Sequence, residues 1–122
     1  MNVKDVNEMK RNNLAVSDWV YNKPKIMNGK CKLLDMDESL TKDCVNWIKY
    51  LSDRIYLQQK KPSTICGGII YIVSLFNDVG LSQKHIATTL GVSDISIRRI
   101  YKDIVRHENC SKIQKEIGER NE

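Results

Sequence analysis

The sequence predicts an all-α fold, and three observations carry that reading. Apolar residues recur at intervals of three and four from Leu40 to Ile55. A second stretch, Ile65 to Phe76, is apolar nearly all round and is preceded by helix-start residues. Ser82 and Ser93 each stand ahead of a short amphipathic run, with Gly91 between the two runs. The length of 122 residues fits one domain, and five helices are expected, near 22–34, 37–57, 63–76, 82–90 and 93–106.

The first helix rests on Asn22 followed by Pro24, a helix-start signal, and it carries Gly29, which costs about 1 kcal/mol relative to alanine. Ahead of it, residues 1–21 read as an N-terminal extension or linker in which Val3, Val6, Met9, Trp19 and Val20 suit an extra helix. In the second helix Leu40, Cys44, Trp47, Ile48, Leu51 and Ile55 fall on one face. Pro62 stops the connection that follows, and Ser63 or Thr64 caps the third helix. Ile69, Ile70, Ile72, Val73, Leu75 and Phe76 make that helix the central, buried element. Its Cys66, Gly67 and Gly68 form a small-residue surface that another helix can approach closely. The β-branched run from Gly67 to Val73 also suits a buried strand, but the segment is long, is capped like a helix and has no partner strand elsewhere. The expected core contains Ile48, Leu51, Ile69, Ile72, Val73, Ile86, Leu90, Ile97 and Ile100. Residues 108–122 read as a polar, frayed C-terminal tail.

Composition excludes several classes of function. A hydrophobic fraction of 41% with 29% charged residues is that of a globular chain, not a low-complexity or disordered one. The longest apolar run, Ile69 to Val73, falls far short of the ~18 residues of a membrane span, and the polar N-terminus has no signal-peptide core. An intracellular protein without a membrane partner is expected. Cys31, Cys44, Cys66 and Cys110 form no CxxC pair and have only His85 and His107 as imidazole partners, so the thiols read as small buried hydrophobes, with no metal and no cofactor. Nor is an enzyme expected: Ser82 with His85, and Cys110 with His107, lack an oriented third member and a glycine-lined oxyanion site.

The charge is uneven in a way that suits a polyanion, although a run of lysines also fits a plain solvated face. Twenty Lys and Arg against 15 Asp and Glu leave +5 overall. Trp19 to Leu34 holds four lysines and no acid, Lys60 and Lys61 add two more, and Leu81 to His107 holds five basic groups against Asp94 and Asp103. The segment from Lys23 to Lys32 and the Lys60-Lys61 connection are expected to extend a contact along bent DNA or to meet an acidic partner face.

Leu81 to Val105 is the informative stretch. With Gln83 as the first position, apolar residues fall at the fourth (Ile86), eighth (Leu90), tenth (Val92), fifteenth (Ile97) and eighteenth (Ile100), with Ala87 at the fifth and Gly91 at the ninth. This is the pattern of a helix-turn-helix over residues 82–106. Ala87 is small where the second helix crosses, Gly91 supplies the positive φ of the turn, and Val92 plugs the angle between the helices. With Ile97, Ile100, Tyr101 and Ile104 turned inward, Asp94, Ile95, Ser96, Arg98, Arg99 and Lys102 are left for solvent or DNA. Ile95 and Arg98, three apart, share one face suited to base edges: an arginine pairs with guanine and an apolar side chain touches a thymine methyl. Lys84, Ser96, Arg99, Lys102 and Arg106 suit phosphate or flanking contacts.

The runs Pro62 to Ser74, Ser82 to Ala87 and Gly91 to Lys102 together resemble the C-terminal cyclin-like repeat of the general transcription initiation factor IIB and its archaeal equivalent, most specifically from about Met36 to Ile104. The resemblance implies a single five-helix cyclin-like repeat, here residues 22–107, ending in a helix-turn-helix that reads double-stranded promoter DNA upstream of the TATA box. It implies the TATA-binding protein as a partner, and it matches the family's base-contacting positions to Ile95 and Arg98. Complete members of that family also carry a zinc ribbon and a second repeat. Without a CxxC pair, this chain is expected to reach RNA polymerase only indirectly, through parts absent from it, as a piece of a longer factor or a compact relative. The nucleus is the expected site if the source is eukaryotic, the cytoplasm (nucleoid) if archaeal. Two other readings remain open: a stand-alone helix-turn-helix regulator acting as a symmetric dimer, and a cyclin-type protein-interaction module without DNA binding.

Overall fold

The computed structural model describes residues 19–120, which are all-helical, with no strand among the described residues. Helix α1 runs through 19–33 and is followed by α2 (Glu38–Tyr50), a short 3₁₀ helix (Ile55–Leu57), α3 (Pro62–Phe76), α4 (Gln83–Leu90), α5 (Asp94–His107) and α6 (Cys110–Arg120). Of the extension expected over residues 1–21, positions 1–18 lie outside the described residues.

Four local expectations are corrected. Asn22 and Pro24 do not start α1 but lie within it. Pro24 forfeits a bond to the carbonyl four residues earlier, and tertiary contacts outweigh the loss: Trp19 packs on the core, Met27 and Cys31 are buried, and the Lys23 ammonium donates to the Ser52 carbonyl at 2.6 Å. Helix α2, capped by the Asp37 carboxylate accepting from the Leu40 amide at 2.8 Å, stops at Tyr50 and does not continue to 57. Ile55, expected on its buried face, is 83% exposed, while Leu57 takes the core position from the 3₁₀ turn. Neither Ser63 nor Thr64 caps α3. Its N-cap is Lys61 and Pro62 is its first residue, where the missing N–H costs nothing.

The fourth correction concerns the C-terminus. The tail expected to fray over 108–122 forms α6 across 110–120, so the fold has six α-helices among the described residues and does not end at α5. Asn109 caps α6, its carboxamide oxygen accepting from the Lys112 amide at 3.1 Å. Ile113 and Ile117, four apart, are buried. The buried Trp47 indole donates to the Gln114 carbonyl oxygen at 2.8 Å, and the Gln114 amide donates to Asp43 at 3.3 Å, which fastens α6 onto α2. This anchorage is long-range, invisible to local patterning.

Helix α3 is the hub. It packs on α2, α4 and α5, with Ile65, Ile69, Ile70, Ile72 and Val73 buried along it. All nine residues expected in the core are buried. The small-residue surface takes α5: a Cβ on Gly67 would overlap Ile97 Cδ1, and one on Gly68 would lie 2.5 Å from Ile100 Cγ2. No helix among the described residues is long and apolar enough to cross a membrane.

Candidate nucleic-acid interface

The turn between α4 and α5 is closed by backbone bonds that glycine permits. Gly91 adopts φ 72°, its amide bonds back to the Ala87 carbonyl, and so does the Val92 amide at 3.0 Å, the double closure of a left-handed helix end. Ser82 and Ser93 cap the two helices as expected, accepting from the His85 amide at 3.0 Å and the Ser96 amide at 3.1 Å. Ala87 is buried at the crossing and Val92 packs against the core. Ile97, Ile100 and Ile104 are buried along α5, and Tyr101 meets Tyr71 of α3 edge-on, with ring centroids 5.1 Å apart.

Helix α5 is clamped at its other end too. Glu108, extended just past α5, accepts from Arg54 Nε at 3.1 Å and from the Tyr56 hydroxyl at 2.8 Å. His107 stacks on the Tyr56 ring at 4.2 Å. Burial, then the hydrogen bond to Glu108 and its charge, push the Tyr56 phenol well above its ordinary range.

Seven residues were expected at the interface. Ile95 and Arg98 lie together on the exposed outer face of the first two turns of α5. Exposure alone does not single out Ile95, because Ile55, Leu75, Phe76 and Val105 are also exposed. What distinguishes it is Arg98 one turn along the same face. Arg98 has no carboxylate partner among the described residues, and its Nε reaches only Gln83 Oε1 at 3.4 Å. Arg99, Lys102 and Arg106 continue as an exposed stripe, and Lys84 is exposed on the first turn of α4. Ser96 differs. It is half-buried, and its hydroxyl already accepts from Ser93 at 2.7 Å.

Three neighbouring residues lie outside that set. Gln83 stands at the first position of α4, where it reaches Arg98 across the turn. Lys60 and Lys61, read from the sequence as a basic surface that extends a DNA contact or meets an acidic partner face, border a cavity of about 240 Å³ together with Ser96 and Arg99. Their sequence distance from α5 hid that juxtaposition, which the tight α3–α5 crossing creates.

Two members of the Ser82–His85 and Cys110–His107 pairs make structural contacts. The Ser82 hydroxyl is the α4 cap, and His107 Nδ1 lies 2.9 Å from the Asp103 carbonyl. Cys31, Cys44 and Cys66 are buried. Burial pushes the Cys66 thiol up to about 12, and the Cys31 thiol together with burial pushes Cys44 well above the ordinary thiol range. Among the described residues no group of three His, Cys, Asp or Glu side chains is placed to hold a metal ion.

A family model described as the transcription factor TFIIB repeat matches residues 20–107. The chain is 30% identical over 74 residues to transcription initiation factor IIB of Sulfurisphaera tokodaii, covering 61% of this chain and 24% of that protein. It is 31% identical over 74 residues to transcription initiation factor IIB of Dictyostelium discoideum, covering 61% and 23%, and 35% identical over 52 residues to that of Saccharolobus shibatae, covering 43% and 17%. The matched segment spans about a quarter or less of the length of these relatives. No solved structure gives a significant match.

Proposed function

The chain belongs to the transcription factor TFIIB repeat family, and from that premise we propose that it is a promoter-DNA-binding module of a transcription initiation factor. In this reading residues 22–107 are a cyclin-like repeat whose helices α4 and α5 act as a helix-turn-helix over 82–106. The observation that carries it is the outer face of α5, where Ile95 and an arginine without a carboxylate partner among the described residues share the first two turns of a helix packed on the core. A helix N-terminus docked in the major groove offers those turns to base edges. Ile95 and Arg98 read bases, and Lys84, Arg99, Lys102 and Arg106 meet phosphates. Ser96, tied to the cap, supports the backbone at the point of entry.

A single such module makes few contacts, so its own affinity is modest and a partner adds the rest. The TATA-binding protein on its bent site is the partner this family membership suggests, with RNA polymerase reached through other parts of the assembly.

The test separates base reading from charge. Arg98→Ala loses about 1–3 kcal/mol on the preferred site and little on scrambled duplex, whereas Lys102→Ala weakens both about equally. Equal losses from Arg98→Ala on both duplexes make it a phosphate contact. Binding by wild type that is insensitive to salt argues for the protein-interaction module instead.

A further inference from the structure

We propose that Lys60, Lys61 and Arg99 form a second, built phosphate site, which grips the DNA backbone beside the base-reading face of α5. The proposal deepens the DNA-binding reading and rests on it. The three cations come from distant parts of the chain: the lysines end the connection into α3, and Arg99 lies on the second turn of α5. They border one cavity of about 240 Å³, walled by Thr64 and Ser96 and backed by Ile100. None of the three has a carboxylate partner among the described residues, and all three are exposed. Three like charges gathered around one concavity repel each other unless an anion joins them.

The cluster is held in place by the core. Gly67 and Gly68 let α3 close on Ile97 and Ile100, and that crossing carries the start of α3 alongside the first turns of α5. A helix with its side chains is about 10–12 Å across and the major groove is about 12 Å wide, so a helix lying in it meets both phosphate walls. Gln83 meets Arg98 on the α4 side, and the exposed Lys84 follows it in the first turn of α4. Lys60, Lys61 and Arg99 flank the helix on the α3 side. The ligand is a phosphodiester of duplex DNA, and free inorganic phosphate shares its chemistry.

The full chain carrying Lys60→Gln with Lys61→Gln tests this against wild type and against Lys112→Gln with Lys115→Gln, an equal loss of charge on α6. Fluorescence anisotropy on preferred and scrambled duplexes across a salt series reads out the slope of log K against log salt. The expected result is a slope smaller by about 1 to 2 for the Lys60/Lys61 variant, since each lost phosphate contact removes about 0.9. Both duplexes should weaken by the same factor, and the α6 variant should match wild type. A wild-type slope and affinity in the Lys60/Lys61 variant overturn the site while leaving DNA binding through α5 intact. Absence of binding by wild type overturns both. A second arm follows the Thr64 and Ser96 amides by NMR with scrambled duplex or with inorganic phosphate at matched ionic strength. Saturation by duplex at the lower concentration supports the proposal, and saturation by phosphate first makes the cavity a free-anion site and overturns it.

Discussion

Replacing Gly68 with alanine should destabilise the protein even though α3 itself gains. Alanine is about 1 kcal/mol better than glycine within a helix. Against that, the added Cβ would stand 2.5 Å from Ile100 Cγ2, 3.1 Å from Ile100 Cβ and 3.4 Å from the Tyr101 amide nitrogen. The latter two atoms are fixed to the α5 backbone, so relief requires the helices to part. Overpacking costs about 1–3 kcal/mol, and the upper half of that range, about 2–3 kcal/mol, applies where backbone must move, leaving a net loss of about 1–2 kcal/mol. For a domain of this size that is a fall in Tm on the order of 4–8 °C. Gly67→Ala should be milder, because its obstacle is the terminal Cδ1 of Ile97. Gly29→Ala, exposed on α1 with nothing within 4 Å of the added atom, should raise stability by about 1 kcal/mol and serves as the control. Thermal unfolding by circular dichroism measures all three. A Gly68→Ala protein as stable as wild type would refute the close α3–α5 crossing, and with it the placement of Lys60 and Lys61 beside Arg99.

Three further outcomes are expected. Ile117→Ala should cost about 2–5 kcal/mol in a denaturant titration, and Gln114→Ala about 1–3 kcal/mol by orphaning the buried Trp47 indole; a frayed tail would make both silent. Because the folded state raises the Tyr56 phenol, stability that is complete below about pH 10 should decline as the pH rises beyond it, and Tyr56→Phe should flatten that alkaline slope in pH-jump unfolding. A preformed complex of TATA-binding protein on its site should bind this chain at least about tenfold, or ~1.4 kcal/mol, more tightly than naked DNA does; identical affinities in calorimetry would favour a stand-alone regulator.

Much of this was legible from spacing alone. Ser82, Ala87, Gly91, Val92 and Ser93 each announce a local requirement, a cap, a close crossing or a positive φ, that neighbouring chain enforces without tertiary help. Gly67 and Gly68 announced a helix contact, though not its owner. The α3 cap apart, which is a local choice of Pro62 as first residue, the failures share one cause. Pro24 outranked Trp19 and Met27 in the sequence because its effect is local, whereas theirs depends on a core several helices away. Ile55 continued a perfect periodicity past Leu51 but was displaced once Arg54 and Tyr56 were drawn to Glu108, more than 50 residues on. The polarity of α6 hides it in the sequence, although Ile113 and Ile117 are four apart, because the Gln114 link to Trp47 and Asp43 spans 67 and 71 residues.

Glu108 has a consequence for how recognition would feel thermodynamically. With Ser93 gripping one end of α5 and the Arg54–Glu108–Tyr56 clasp the other, the probing helix is a stiff needle before it meets anything. A stiff probe surrenders little conformational freedom on contact. If α5 enters a groove as proposed, it would adapt little, so a mismatch would be absorbed by the duplex and discrimination between sequences would follow how readily each one deforms.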